Sequence, residues 1–270
     1  MILAIVLIFA KIAKKYPFIK ECSMSSSNPA MGVLNRAAAG EFNFGGLGEV
    51  ATLSGATTKS ILLVAITFVI GYFSMIYSIN TIFTTGALPK GLLFGSIILS
   101  LIVAVATIFK PQYSSYTAPA YAVCEGVALG CISATFELKY PGIVATAVMS
   151  TFVVVMSMLA LWKFKVIVPT ARFRSIVIGA TAGVAVLYLL NFVLSLFNVH
   201  LLPSTGALSI IVSLVVCTIA ALNLVLDFDM IEQSVNEGLP KYFEYYCAFS
   251  LLVTICWLYI EILRLLSKRE

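Results

Sequence analysis

The sequence predicts an all-α polytopic membrane protein that folds as a bundle of seven transmembrane helices. Of its 270 residues, 61% are hydrophobic and 11% are charged, whereas about a quarter of the residues in a soluble domain are charged. Its mean hydropathy is +1.05. Seven apolar windows also reach about 20 residues each, the length that a helix needs to cross the hydrocarbon core. Lipid therefore solvates most of the chain.

The seven predicted spans are separated by helix breakers or charged turns. They lie near residues 61–83, 88–109, 117–137, 142–162, 175–197, 205–227 and 243–265. The first four breaks are Gly86 with Pro89, Lys110 with Pro111, Lys139 to Pro141, and residues 163–174 around Pro169. We therefore predict one membrane domain, residues 59–270, preceded by an N-terminal extension, residues 1–58.

The N-terminal extension is predicted to be cytoplasmic and partly mobile. Residues 1–10 are apolar, but ten residues of helix span about 15 Å, half of the hydrocarbon core. Lysines follow this run, whereas a signal peptide carries its positive charge first. An interfacial anchor and a start codon assigned too early both fit residues 1–20. Residues 21–58 are rich in Ser, Gly, Ala and Asn, which favours a mobile polar tail.

The distribution of Lys and Arg predicts the orientation of the bundle, because positive residues are retained in the cytoplasm. With the N-terminus inside, the tail and alternate loops place twelve of the 17 basic residues on the cytoplasmic side and five outside. The sequence thus favours a protein with its N-terminus inside and its C-terminus outside.

Several function classes are excluded by composition. The single histidine, His200, allows neither a Ser/His/Asp triad nor a His-based metal site. The six cysteines show no CxxC spacing, and all but Cys22 fall in apolar stretches, so we interpret them as buried small hydrophobic residues. The net charge of +5 comes with no basic run interleaved with aromatics. We expect no enzyme, no cofactor, no metal site and no nucleic-acid partner.

Acidic residues inside the spans are the candidate functional residues, because a carboxylate at mid-bilayer costs roughly 2.5–3.5 kcal/mol and usually faces a cavity or a partner. Glu125 lies within the third span, Asp227 and Asp229 end the sixth, and Glu244 and Glu261 bracket the seventh. With N-in topology, we predict that Glu125, Asp227 and Glu244 converge near the cytoplasmic end. Such a cluster could hold a proton or a cation and act as a pH-sensitive gate.

Helical spacing adds polar residues that could line this site. Glu244, Thr254 and Glu261 share one face of the last span, which should therefore point into the bundle and be central. Asn223 lies one turn before Asp227 on the sixth span, whereas Asp229 lies about 200° round the helix, so we place Asp229 at headgroup level.

The alternative is that each acid is paired or interfacial. Glu261 would then pair with Arg264, Glu244 would pair with Lys241, and Asp227 would be a helix-end residue.

Two pairs of glycines four residues apart indicate close helix crossings. They are Gly126 with Gly130 and Gly179 with Gly183.

Four segments carry a family resemblance: Asn28-Pro29, Cys124-Glu125-Gly126-Val127-Ala128-Leu129-Gly130 in the third span, Leu226 to Ile231 at the end of the sixth span, and Leu258 to Leu266 in the last. Over residues 28–267 their order and spacing resemble the bacterial Bax inhibitor-1/YccA family, related to the TMBIM membrane proteins. The resemblance implies a protein of the bacterial cytoplasmic membrane and a seven-helix fold with the last helix central. It also implies a pH-sensitive calcium leak controlled by two aspartates, on the sixth and seventh spans.

Asp227 matches the first aspartate of that pair, but Thr254 stands where the second would be. The leading hypothesis is a pH-modulated cation leak for calcium, with Asp227 as the gate carboxylate and Glu125 as a polar partner. The YccA side of the resemblance implies the alternative, a non-conducting regulator of a membrane protease or stress pathway, with residues 21–58 as its docking element. A proton-coupled carrier would need inverted repeats, and the sequence shows no clear repeat.

Overall fold

A computed structural model describes residues 50–195, 197 and 206–269, and in this part of the chain it shows a seven-helix bundle. The helices are α1 Leu53–Thr85, α2 Lys90–Phe109, α3 Ser114–Lys139, α4 Ile143–Lys163, α5 Ala171–Ser195, α6 Ala207–Asn236 and α7 Tyr242–Ser267. A 3-10 turn, Pro111–Tyr113, precedes α3. All seven helices are long and apolar enough to cross a membrane, so the predicted fold class is confirmed. The predicted anchor, most of the predicted tail, and His200 lie outside the described residues.

The predicted breakers end the helices where expected. Gly86 adopts a left-handed φ of 71° after α1, and Gly142 one of 86° before α4, a conformation that glycine adopts without steric cost. Pro111 follows the end of α2 and occupies the first position of the 3-10 turn, where its missing N–H needs no partner.

Two predicted boundaries are wrong because polar residues there have partners in the folded bundle. α1 begins at Leu53, eight residues before the predicted span, because the Thr52 hydroxyl accepts a hydrogen bond from the Gly55 N–H and caps the helix. Residues 53–58 are therefore helical and not part of a polar tail. α6 continues nine residues past Asp227 to Asn236.

The helices alternate in direction and so define two faces of the bundle. The Ser114 hydroxyl at the start of α3 donates to the Tyr242 carbonyl oxygen at the start of α7, at 2.7 Å. At the other side, Lys268 just after α7 donates to the Ser213 hydroxyl near the start of α6, at 2.7 Å. We call the side where α1, α3, α5 and α7 begin the near face, and the opposite side the far face.

α7 is the central helix, as the sequence predicted. It packs against α1, α3, α4 and α6, and its most apolar 18-residue stretch is 72% buried, against at most 56% for the others. Phe249, Leu252 and Trp257 are each at most 1% exposed. Four neighbours surround this helix, so its polar side chains face protein and not lipid.

α1 and α3 cross closely at the first predicted glycine pair. A Cβ on Gly126 would lie 2.8 Å from the Thr67 carbonyl oxygen, and one on Gly130 would collide with the Gly71 carbonyl oxygen. The Thr67 hydroxyl bridges the crossing by donating to the Ala122 carbonyl oxygen at 3.2 Å. The second predicted pair behaves differently, because a Cβ on Gly179 or Gly183 would meet no described atom within 4 Å.

Candidate functional site

Asp227 lies at mid-depth of the bundle, between α6 and α7. Asp227 is 1% exposed, and its Oδ1 atom accepts a hydrogen bond from the Ser250 hydroxyl at 2.7 Å. Ser250 is eight residues into α7, about 12 Å from the near face at 1.5 Å per residue. The expectation that Asp227 ends its span is therefore wrong, because α6 runs past it for nine more residues.

The second carboxylate oxygen of Asp227 is unsatisfied. No described residue donates a hydrogen bond to Oδ2, although the atom is buried. The Thr254 hydroxyl lies beside the same carboxyl group, but it donates its proton to the Ser250 carbonyl oxygen, at 3.3 Å. The position that aligns with the family's second aspartate therefore does face Asp227, and it presents a hydroxyl oxygen.

Asn223, one turn before Asp227, adds another unsatisfied acceptor. Its Nδ2 donates to the Thr181 hydroxyl at 2.7 Å and to the Ile219 carbonyl oxygen at 2.8 Å. Because Thr181 gives its own proton to the Val177 carbonyl oxygen, both groups facing Nδ2 accept, which fixes the orientation of the amide. The Oδ1 atom then points elsewhere, and it is buried without a described partner.

Glu125 lies on a different side of α7. It is 4% exposed, and its carboxyl group faces Ser100 of α2 and Tyr121 of its own helix. Tyr121 packs edge-on against Phe249 of α7, with ring centroids 4.9 Å apart. Phe249 lies about 100° round α7 from Ser250. Glu125 and Asp227 thus have similar depths but are separated by the central helix, and the predicted cluster does not form.

Glu244 is held at the near face by two hydrogen bonds and an ion pair. Its Oε1 accepts from the Thr52 N–H at 2.8 Å and from the Thr52 hydroxyl at 2.9 Å, and its Oε2 forms an ion pair with Lys59 of α1. Lys59 also lies over the Tyr245 ring, 4.5 Å from its centroid. The prediction paired Glu244 with Lys241, but the ion pair that holds it comes from α1.

The chain before α1 makes further contacts beside Glu244, with the turn between α6 and α7. The Ala51 N–H donates to the Leu239 carbonyl oxygen at 2.8 Å, and Val50 pairs with Pro240 in an isolated bridge. The segment that leads into α1 is thus fastened to the α6–α7 turn.

The remaining two acids are also paired. Asp229 accepts hydrogen bonds from Arg174 of α5 at 2.5 Å and from Gln233 at 2.7 Å. It therefore has partners and lies toward the near face, which agrees with the predicted position at headgroup level. Glu261 is fully buried and accepts from Arg264 at 3.3 Å, which confirms the predicted i,i+3 pair.

Glu261 has two further donors that the sequence did not indicate. The Tyr188 hydroxyl of α5 donates at 2.9 Å and the Trp257 indole N–H at 3.3 Å. Both side chains look like ordinary aromatic residues of apolar spans. Trp257 lies one turn before Glu261 on α7, whereas only the tertiary fold brings Tyr188 of α5 to this carboxylate.

These groups form a series of polar pairs on α5, α6 and α7 at successive depths from the near face to the far face, and we call this series the polar column. Its steps, in order, are Arg174 with Asp229, Asp227 with Ser250 and Thr254, Asn223 with Thr181, Glu261 with Tyr188, and Lys268 with Ser213. Asp229 lies about 200° round α6 from Asp227, so the first pair is on a different face of α6 from the others. In the middle of this column the spare groups are acceptors, so it can receive a proton, a water molecule or a cation. No group of three His, Cys, Asp or Glu residues suited to a tightly held metal occurs in the described ranges.

Comparison with known proteins gives the family of the chain. A family model described as Bax inhibitor 1 like matches residues 13–270. Searches of curated proteins and of solved structures found no match. The family match agrees with the seven spanning helices and with the resemblance carried by the Glu125 and Asp227 segments. Because it extends over nearly the whole chain, the protein belongs to the Bax inhibitor 1 like family of multi-pass membrane proteins.

Proposed function

We propose that this protein is a pH-modulated cation leak of the bacterial cytoplasmic membrane, with Asp227 as its gate carboxylate. The observation that supports it is the unsatisfied Oδ2 atom of Asp227 at mid-depth of the bundle. The route for the ion is the polar column between α5, α6 and α7.

A purely structural carboxylate would be expected to have both oxygens satisfied, because an unsatisfied buried polar group costs about 1–3 kcal/mol, and more if charged. Glu244 and Glu261 meet that expectation, since each accepts from at least three groups that include a cation. Asp227 accepts one hydrogen bond from a neutral hydroxyl. A passing cation or a proton can therefore bind at the free Oδ2 atom of Asp227.

The pH dependence follows from the charge of this one group. A protonated Asp227 has no charge with which to attract a cation, so flux should fall as the pH becomes acidic. The neighbouring titratable groups are the Cys247 thiol on α7 and the Arg174–Asp229 pair further along α6. That ion pair carries no net charge.

The test is cation flux from liposomes that contain the purified protein, measured from acidic to neutral pH. The wild type should conduct, with flux rising toward neutral pH, and Asp227→Asn should reduce the flux to that of empty liposomes at every pH. Glu232→Gln is a matched control, because it makes the same chemical change on α6 at a side chain that is 40% exposed. Equal, pH-dependent flux in wild type and Asp227→Asn would refute the gate assignment.

The second candidate is a non-conducting regulator that docks a membrane protease through the N-terminal extension. The observation in its favour is that residues 50–52, which belong to that extension, are fastened to the α6–α7 turn and to Glu244. A bound partner could therefore act directly on the central helix.

A truncation separates this candidate from the leak. Deleting residues 1–49, which leaves Thr52 and its cap intact, should abolish co-purification of a protease and leave cation flux unchanged. Retention of the protease by the truncated chain would exclude residues 1–49 as the docking element.

A further inference from the structure

Asp227 carries the one negative charge of its site, and the oxygens of the neighbouring side chains are neutral. On α7 the neighbours of the carboxyl group are the Ser250 and Thr254 hydroxyls. On α6 the next polar side chain toward the far face is Asn223, one turn away, so the two Cβ atoms are about 5–6 Å apart. All four residues are at most 3% exposed.

The proton inventory of this group shows that its free sites are acceptors. Ser250 gives its proton to Asp227, and Thr254 gives its proton to the Ser250 carbonyl oxygen. Asn223 gives its amide protons to Thr181 and to the Ile219 carbonyl oxygen. What remains is Oδ2 of Asp227, Oδ1 of Asn223 and the lone pairs of Thr254. These oxygens belong to adjacent turns of α6 and α7, and oxygen ligands suit a hard cation.

The other four candidate acids do not add charge to this set. Glu244 is paired with Lys59, Asp229 with Arg174 and Glu261 with Arg264. Glu125 lies across α7, where its neighbours are Ser100 and Tyr121. The site therefore carries at most one negative charge.

One carboxylate neutralises a monovalent cation but leaves a divalent one with a net positive charge. Inside a bundle that excess charge is poorly compensated, because the low dielectric makes an unpaired buried charge costly. Calcium sites accordingly recruit several carboxylates among six to eight oxygen ligands. A site of one carboxylate, one amide oxygen and one hydroxyl does not meet that requirement.

We infer that the Asp227 site binds a monovalent alkali cation, and that Thr254 is the residue whose neutrality excludes calcium. This inference rests on the proposed leak for its transport readout, but the binding itself does not require conduction. It changes the ion that the family resemblance implied, because the second acid of that resemblance is absent here.

The test is the ratio of sodium flux to calcium flux in liposomes for wild type and Thr254→Asp. The wild type should favour sodium by about tenfold or more, and Thr254→Asp should lower the ratio by about tenfold or more. Thr57→Asp is the matched control, because it adds the same charge at an exposed position on α1. If Thr254→Asp fails to fold, Asn223→Asp adds the second carboxylate from the α6 side and should have the same effect.

A wild type that conducts calcium as well as sodium would overturn the inference and leave the leak intact. If the wild type conducts neither ion, the proposed leak fails. Sodium binding is then tested by thermal unfolding of the protein in detergent, and that measurement decides the inference. Sodium should then stabilise the wild type relative to choline, and this stabilisation should be absent in Asp227→Asn. Equal unfolding temperatures of the wild type in sodium and in choline would overturn the inference.

Discussion

Lys59 of α1 and Glu244 of α7 form an ion pair that joins the start of the first span to the start of the central helix. The pair is shielded, because the side chain of Lys59 is 16% exposed and that of Glu244 is 2% exposed. Gly55 lies against the carboxylate so closely that a Cβ there would collide with it. The near face of the bundle is therefore closed by a contact between the two ends of the membrane domain.

Lys59→Met should destabilise the protein by about 3 kcal/mol, because it leaves the Glu244 carboxylate buried without its cation. The measurement is the free energy of unfolding in detergent. Adding Glu244→Gln to Lys59→Met should recover part of the loss, since the double variant has no unpaired buried charge. Additive losses in the two single variants and the double variant would show that the pair contributes no coupling energy.

Gly130→Ala should destabilise the α1–α3 crossing by about 1–3 kcal/mol, because the new methyl group meets the Gly71 carbonyl oxygen, which cannot rotate away. Gly179→Ala is the matched control on α5. It fills open space and should be neutral or stabilise slightly, since alanine has the higher helix propensity. Thermal unfolding of the two variants measures the difference, and equal effects would mean that the α1–α3 contact is looser than described.

The fold was largely predictable because membrane spans are determined by length and hydropathy along one segment. The errors fall where polar side chains find partners in the bundle. Thr52 and Gly55 look like loop residues, yet they cap α1. Asp227 and Asp229 look like the end of a span, yet Ser250 donates to one oxygen of Asp227, Arg174 pairs with Asp229, and α6 continues.

The site was predictable only to the extent that it depends on one helix. The i,i+3 pair of Glu261 with Arg264 is present as predicted, and helical spacing correctly put Asn223 beside Asp227. The partner of Glu244 is 185 residues away in the sequence, so local spacing suggested Lys241 instead of Lys59. Similarly, equal depth suggested that Glu125 and Asp227 meet, but depth does not specify on which side of α7 each helix packs.

Asp227→Asn should stabilise the protein while it abolishes flux. The substitution replaces the unsatisfied Oδ2 with an amide that can donate to the free oxygens of Asn223 or Thr254, and relief of one unsatisfied buried acceptor is worth about 1–3 kcal/mol. Stability and activity would then change in opposite directions, as expected for a functional site.

The measurement is thermal unfolding of Asp227→Asn beside Glu244→Gln, in the absence of sodium. Glu244 is fully partnered, so the same change of carboxylate to amide should destabilise the protein there. A lower unfolding temperature in both variants would indicate that Asp227 is a structural residue.

Tyr188→Phe should loosen the far-face half of α5. This helix packs chiefly against α6. At that end Tyr188 links it to the central helix by a hydrogen bond to Glu261 and by its ring against Arg264, and the substitution removes only the hydrogen bond. Loss of one bond to a carboxylate should cost about 1.5–3 kcal/mol locally, and Glu261 keeps its bonds to Trp257 and Arg264. The bundle as a whole should therefore remain folded.

Amide hydrogen exchange measures this effect helix by helix. Exchange in the last turns of α5 should accelerate about tenfold or more in Tyr188→Phe, which corresponds to the local loss of stability, whereas exchange in α2 should not change. Tyr116→Phe is the matched control, because that side chain is 81% exposed. If α5 moves to open the polar column, the same variant should also raise cation flux, because its docking contact at the far face is weaker. Unchanged exchange in α5 would show that α6 alone holds this helix, and flux should then be unchanged as well.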